Sequence, residues 1–234
     1  MKLNTFLSLI SAFTVLLVSS FAVALEPTKI TYRLELDSDR FGKATLGRIE
    51  TQLTEREGQY YVDSHTKAQG MAAILVGNFR ESCQFEIIEG RAVSRSYSGG
   101  RPKKQEYLVG FDWQNRKVNF NEQESLDMPS GYIVDNCNMP FAIALLENSE
   151  LSEAIYIVDG KKTRIRGYKL VSRSKELLTT KLGQLETTKV VLEREFRSDK
   201  KLSLWLSKQH HFLPVKVEEI RKDRTTTMLI TEYQ

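Results

Sequence analysis

Ile30-Thr31-Tyr32-Arg33-Leu34-Glu35-Leu36 alternates apolar and polar side chains residue by residue. In an extended chain successive side chains point to opposite faces, so this stretch offers one face to bury and one to wet, as an antiparallel strand does. The same period of two returns in Leu202-Ser203-Leu204-Trp205-Leu206-Ser207, where three leucines share a face. Trp205 stands on the other face and needs shelter from a neighbouring strand or a bound partner. Working outward, the pattern predicts strands over 44–54, 59–68, 79–89, 91–98, 105–112, 116–120, 153–159, 163–173, 185–197, 212–222 and 225–233. Glu57-Gly58, Asn78, Glu89-Gly90, Gly99-Gly100, Asn115, Asp159-Gly160, Gly183, Asp199 and Asp223 divide them as turn residues. Helix-period stretches are scarce. The expectation is a mainly β chain, a curved antiparallel sheet of hairpins forming a half-barrel or barrel-like domain, with one short helix near residues 139–147.

Two segments interrupt the alternation. Asn138-Met139-Pro140-Phe141-Ala142-Ile143-Ala144-Leu145-Leu146-Glu147-Asn148 opens with a capping residue and an early proline and is the best helix candidate. Met139, Ala142, Ile143 and Leu146 make one stripe, and Phe141 and Leu145 a second, so the helix must be covered on more than one side. It either plugs the curved sheet or gates an apolar cavity. Gly70-Met71-Ala72-Ala73-Ile74-Leu75-Val76-Gly77 is an apolar octet framed by glycines, read as ordinary core or as a contact for lipid, acyl chain or partner. The candidate apolar contacts are therefore Met71, Ile74, Leu75, Val76, Phe141, Leu145 and Trp205. Asn121 to Asn138 is the most loop-like stretch.

The N-terminus carries an address. Lys2 precedes an uncharged apolar run from Leu3 to Val23, and Ala22-Val23-Ala24 has the small-x-small pattern of a signal-peptidase site. Residues 1–24 are expected to be a cleaved signal peptide and 25–234 a single β-rich periplasmic domain. No cysteine near the cut invites a lipid anchor, and no second apolar run approaches the roughly 20 residues of a transmembrane helix. The formal charge of +4 comes from 34 basic and 30 acidic side chains, a mixed balance that argues against nucleic acid as a partner. Export places Cys83 and Cys137 in an oxidising compartment, where they either pair or stay as two buried thiols. A bridge would restrict the unfolded chain by about 4 kcal/mol on the chain-entropy model.

Signatures of catalysis and metal binding are absent. The histidines are His65, His210 and His211; the adjacent pair points different ways, which makes poor joint ligands. Asp63 and His65 would share a strand face, without a nucleophile motif beside them. No nucleophile elbow and no phosphate-cradling loop occurs, so neither an enzyme nor a cofactor is expected. Basic clusters at Arg101, Lys103 and Lys104, at Lys161, Lys162, Arg164 and Arg166, and at Lys200 and Lys201 lie beside predicted turns, as solvated edges or as contacts for anionic headgroups.

Gly70 to Gly77 followed by Phe79-Arg80-Glu81-Ser82, then Phe111-Asp112-Trp113, then Leu204-Trp205-Leu206 leading to Leu213-Pro214-Val215-Lys216-Val217, occur in an order that spans most of the chain. In these residues the sequence resembles the exported, β-rich proteins of domain-of-unknown-function family 3108 of Gram-negative bacteria. The resemblance implies a periplasmic β fold and supplies no catalytic residues; Cys83 and Cys137 lie outside the pattern. The functional expectation is a non-enzymatic periplasmic protein that binds a lipid, acyl chain or extended peptide in envelope maintenance. Its alternative is a structural or assembly accessory that touches other envelope proteins and holds no small ligand.

Overall fold

The computed structural model describes residues 25–40, 42–75, 77–102, 104, 106–121, 123–146 and 154–234; the expected signal peptide lies outside them. The first half of the sheet comprises β1 (Thr28–Ser38), β2 (Gly42–Arg56), β3 (Gln59–Ala68), β4 (Phe79–Ile88), β5 (Arg91–Gly100), β6 (Tyr107–Asp112), β7 (Lys117–Phe120) and β8 (Glu124–Asp127). The second comprises β9 (Tyr132–Asp135), β10 (Ile155–Asp159), β11 (Arg164–Thr180), β12 (Gly183–Arg194), β13 (Arg197–Ser207), β14 (Leu213–Arg221) and β15 (Arg224–Tyr233). Helix α1 (Met71–Leu75) follows β3, and α2 (Met139–Leu145) follows β9.

The fifteen strands among the described residues belong to one sheet, in the order β8-β7-β6-β5-β4-β3-β2-β1-β15-β14-β13-β12-β11-β10-β9. Hairpin neighbours pair antiparallel, β1 closes on β15 and joins the two halves, and β9 and β10 form a parallel pair. The sheet is curved and unclosed. Instead of meeting edge to edge, its ends overlap: the Tyr132 hydroxyl of β9 accepts from the Ala92 amide of β5 at 3.0 Å and donates to the Ala92 carbonyl at 3.2 Å. Gly160, just beyond β10, lies against Tyr107 and Val109 of β6, where an added Cβ would sit 2.5 Å from the Tyr107 ring.

The alternation read from the sequence sets what is buried. Ile30 and Tyr32 of β1, Leu204 and Leu206 of β13, and Val215 and Val217 of β14 all face the core. β8 and β9 arise inside the stretch expected to be loop. β9 reads Tyr-Ile-Val-Asp with every residue buried, so both its faces are covered and it shows no alternation to detect. β8 is only four residues long and three of them are exposed. β11 also runs past its expected end at 173, carrying a hairpin with β12 whose Leu177 is 63% exposed. α2 matches its predicted segment within two residues.

Candidate functional site

α2 lies on the concave face and touches strands from both halves of the sheet, β5 and β14. Met139, Phe141, Ala142, Ile143 and Ala144 are buried there, with Phe141 6.5 Å from Phe85, itself stacked on Tyr60 at 5.3 Å. Two anchors hold the helix. At its start a disulfide joins Cys137 to Cys83 of β4, stapling the turn after β9 to the opposite half of the sheet. At its end the Arg173 guanidinium of β11 donates to the Leu146 carbonyl at 2.9 Å. The helix has no side-chain cap and no charged residue in its first or last turn, so packing and these two anchors keep it in place.

A buried polar knot positions the disulfide turn. Asp135 Oδ1 accepts from the backbone N–H groups of Cys137 and Asn138 at 2.9 and 2.8 Å, and Asn138 Oδ1 accepts from the Asp135 N–H at 3.1 Å. Asn138 Nδ2 then donates to Ser94 Oγ of β5 at 2.8 Å. Burial pushes the Asp135 carboxyl up to about 7, against the pull of the two N–H groups, which favour its ionised form. One carboxylate oxygen of Asp135 and the sulfurs of Cys83 and Cys137 lie within 4.8 Å of one another. Joined in a disulfide, those sulfurs offer no thiolate to a metal.

A second polar cluster lies where β4, β5 and β6 approach the end of β10. The Glu81 carboxyl accepts from the hydroxyls of Tyr97 and Tyr107, which also bond each other at 2.7 Å. Burial raises the pKa of Glu81, and burial together with the Glu81 charge raises those of both tyrosines. The cluster borders an open recess of about 270 Å³ also lined by Arg101, Asp159 and Lys161. The hydroxyls of Tyr97 and Tyr107 and the Glu81 carboxyl satisfy one another. A wider groove of about 580 Å³ crosses the outer face of β3 to β7, lined by small polar residues such as Ser82, Ser96, Ser98 and Gly110.

The residues singled out in the sequence are dispersed. Phe141 of α2 is buried against the sheet, and Leu145 packs partly buried against the core. Trp205, on the outer face of β13, finds its shelter within the chain: Lys216 and Lys189 lie 4.0 and 4.7 Å from the ring, and Glu176 accepts from its N–H at 2.7 Å. Ile74 of α1 is 79% exposed, whereas Ala72 beside it is buried. Val76 and the side chains of Met71 and Leu75 lie outside the described residues. Asp63 and His65 border one shallow recess, but the His65 imidazole accepts from Arg80 at 2.7 Å and Glu50 is engaged by Lys67. No relay of the kind a hydrolase needs is assembled there. His210 and His211 sit in the turn between β13 and β14, where His210 packs on the Tyr233 ring at 4.5 Å. Asp135, Ser94 and Glu81 were given no role by the sequence, and Asn138, expected as the helix cap, turns its side chain to the Asp135 N–H and to Ser94 instead. The one local signal was Asp135-Asn136-Cys137-Asn138, a run of side chains that turns use to bond nearby backbone N–H groups.

Among the described residues no helix is long and apolar enough to cross a membrane. A protein-family model described as a protein of unknown function, DUF3108, matches residues 29–231. No curated protein matches the sequence. The solved structure of a beta-barrel-like protein of domain of unknown function DUF1849 from Brucella abortus is similar in fold. Its TM-score is 0.57 at 10% identity, and the match covers 90% of this chain and 98% of that one. A putative outer membrane lipoprotein-sorting protein domain from Vibrio parahaemolyticus matches over 90% of this chain and 86% of that one at 11% identity. Its TM-score of 0.28 is too low to indicate a shared fold.

Proposed function

This chain belongs to DUF3108, a family of proteins of unknown function, and from its geometry we propose that it is a non-catalytic envelope protein whose concave face takes up an apolar chain. The observation that carries this reading is α2. A seven-residue helix with five buried residues fills the concave face of a sheet that does not close. A helix of that length has little stability of its own, since the cost of nucleation outweighs the few hydrogen bonds it makes. It holds its place by apolar packing, and an acyl chain or an extended apolar peptide could offer the same packing to Phe85, Tyr60 and the facing strands. The disulfide tethers the start of α2, so the helix can yield its place without leaving the protein. Export to an oxidising compartment is part of the proposal, supported by the apolar N-terminal run and by the bridge itself.

Titration with a fluorescent long-chain fatty acid tests it, followed by native mass spectrometry of the mixture. Saturable binding is expected for the native chain. Tighter binding is expected for Phe141→Ala, which empties space beneath α2, and for Cys83→Ser with Cys137→Ser, which frees the tether. Lack of saturable binding by all three, with no adduct in the mass spectra, refutes the reading. A second reading, an accessory that pairs with another envelope protein through a sheet edge, draws on β8. That strand ends the sheet with Glu124, Ser125 and Asp127 exposed.

A further inference from the structure

Antiparallel pairing decides which turns share an end of the sheet. The connections after β1, β3, β5, β7, β10, β12 and β14 lie at one rim, and those after β2, β4, β6, β8, β11 and β13 at the other. All three basic clusters of the sequence fall at the first rim. Arg101 and Lys104 lie between β5 and β6, Lys161 and Lys162 between β10 and β11, and Lys200 just past the turn from β12 to β13. The register places Lys200 opposite Arg221, and Arg221 opposite Arg224, so the turn from β14 to β15, with Lys222, extends the third cluster. Desolvation, together with the charges of Arg197, Arg194 and Arg221, lowers the pKa of Lys200, a sign of crowded positive charge. Asp39, Glu106, Glu195 and Asp223 also lie in the turns of this rim, while Asp159 and Asp199 are engaged by Arg164 and Arg197, so the excess of positive charge sits at the three clusters and at Arg221 and Arg224. The turns of the opposite rim mix Glu57 and Glu89 with Arg116, Lys181 and Lys208.

The basic rim also carries the two most exposed large apolar side chains among the described residues, Phe196 at 101% and Ile74 at 79%. Phe196 has φ of +58°, a left-handed conformation that favours glycine or asparagine. Glycine would suit this turn better, and the exposed ring contributes nothing to the core, so folding gives no reason for phenylalanine here. Five strand spacings, β3 to β13, separate the two apolar residues, roughly 24 Å measured across the strands alone. Apolar contacts set that far apart on one rim, with the basic clusters beside them, match a flat anionic surface better than a pocketed partner.

We propose that this rim docks on an anionic phospholipid surface, Phe196 and Ile74 entering the boundary between headgroups and acyl chains while the basic turns meet the phosphates. The docking does not depend on whether the concave face binds an apolar chain. Vesicle flotation tests it, using the chain from Leu25 onward, which contains every described element, so that the apolar N-terminal run makes no contribution. Association is expected with vesicles of equal parts phosphatidylglycerol and phosphatidylcholine, falling as salt is raised, and not with pure phosphatidylcholine. Phe196→Gly is expected to melt no lower than the native chain and to partition about tenfold less. Lys161→Glu with Lys162→Glu is expected to weaken the preference for phosphatidylglycerol. Equal association with both vesicle types, association with neither, or unchanged partitioning of Phe196→Gly overturns the proposal; association with neither would indicate a soluble acidic partner instead.

Discussion

Stability should fall as pH rises through neutrality because Asp135 is buried in the knot that seats α2. Its carboxyl titrates near 7 in the folded protein and near its ordinary value of 3.8 when unfolded. Between those values the native state keeps a proton that the unfolded chain has released. The stabilisation from this group is therefore full below about pH 4 and lost as pH climbs through 7. About three pH units correspond to about 4 kcal/mol in all, of which about 2–3 kcal/mol disappears between pH 5 and 8. Working in that window avoids the opposite slope of paired carboxylates such as Glu50 and Glu86, whose pKa values are lowered and which are already ionised by pH 5. Desolvation lowers the pKa of His210, which gives a rising contribution near pH 6, but it does so in wild type and variant alike. The perturbation is Asp135→Asn, which keeps an oxygen for the N–H groups of Cys137 and Asn138 and removes the ionisation. Urea unfolding with the disulfide intact, at several pH values, supplies the measurement. The variant should gain on wild type by about 2–3 kcal/mol between pH 5 and 8. Parallel pH profiles for the two proteins would refute the reasoning.

Cys83→Ser with Cys137→Ser should lower unfolding stability by about 4 kcal/mol on the chain-entropy model, measured by urea denaturation. Phe141→Ala should cost about 3–5 kcal/mol in the same assay, because the ring is buried against Phe85 and the emptied space cannot fully collapse. Gly160→Ala should cost about 1–3 kcal/mol through overpacking, since the new methyl meets a Tyr107 ring fixed by its bonds to Glu81 and Tyr97. A melting temperature unchanged from wild type would count against the overlap of β10 on β6.

Much of the sheet was legible because its strands have one wet and one dry face. Ile30 to Leu36 and Leu202 to Ser207 show that alternation directly, and glycines mark several of the turns. β9 was hidden because the overlap of the sheet ends covers both of its faces, and its four buried residues look like any short apolar run. The exposed position of Phe196 was equally hidden. Residues 185–197 read as one strand, and only the actual turn at Glu195 and Phe196 brings the ring out to the rim.

The disulfide shows where local information stops. The sequence could place Cys83 on a strand and Cys137 just before a helix, but their pairing needs the two halves of the sheet to face each other across α2. The same holds for Asp135, whose raised pKa comes from a burial that no neighbour in sequence implies. By itself the sequence determined the β character, most of the hairpins and a short helix near 139–147, because each follows from periodicity and turn chemistry over a few residues. Tertiary structure alone decided that the sheet overlaps without closing, that the helix fills its hollow, and that separate basic turns meet at one rim, because those features depend on contacts between residues far apart in the chain.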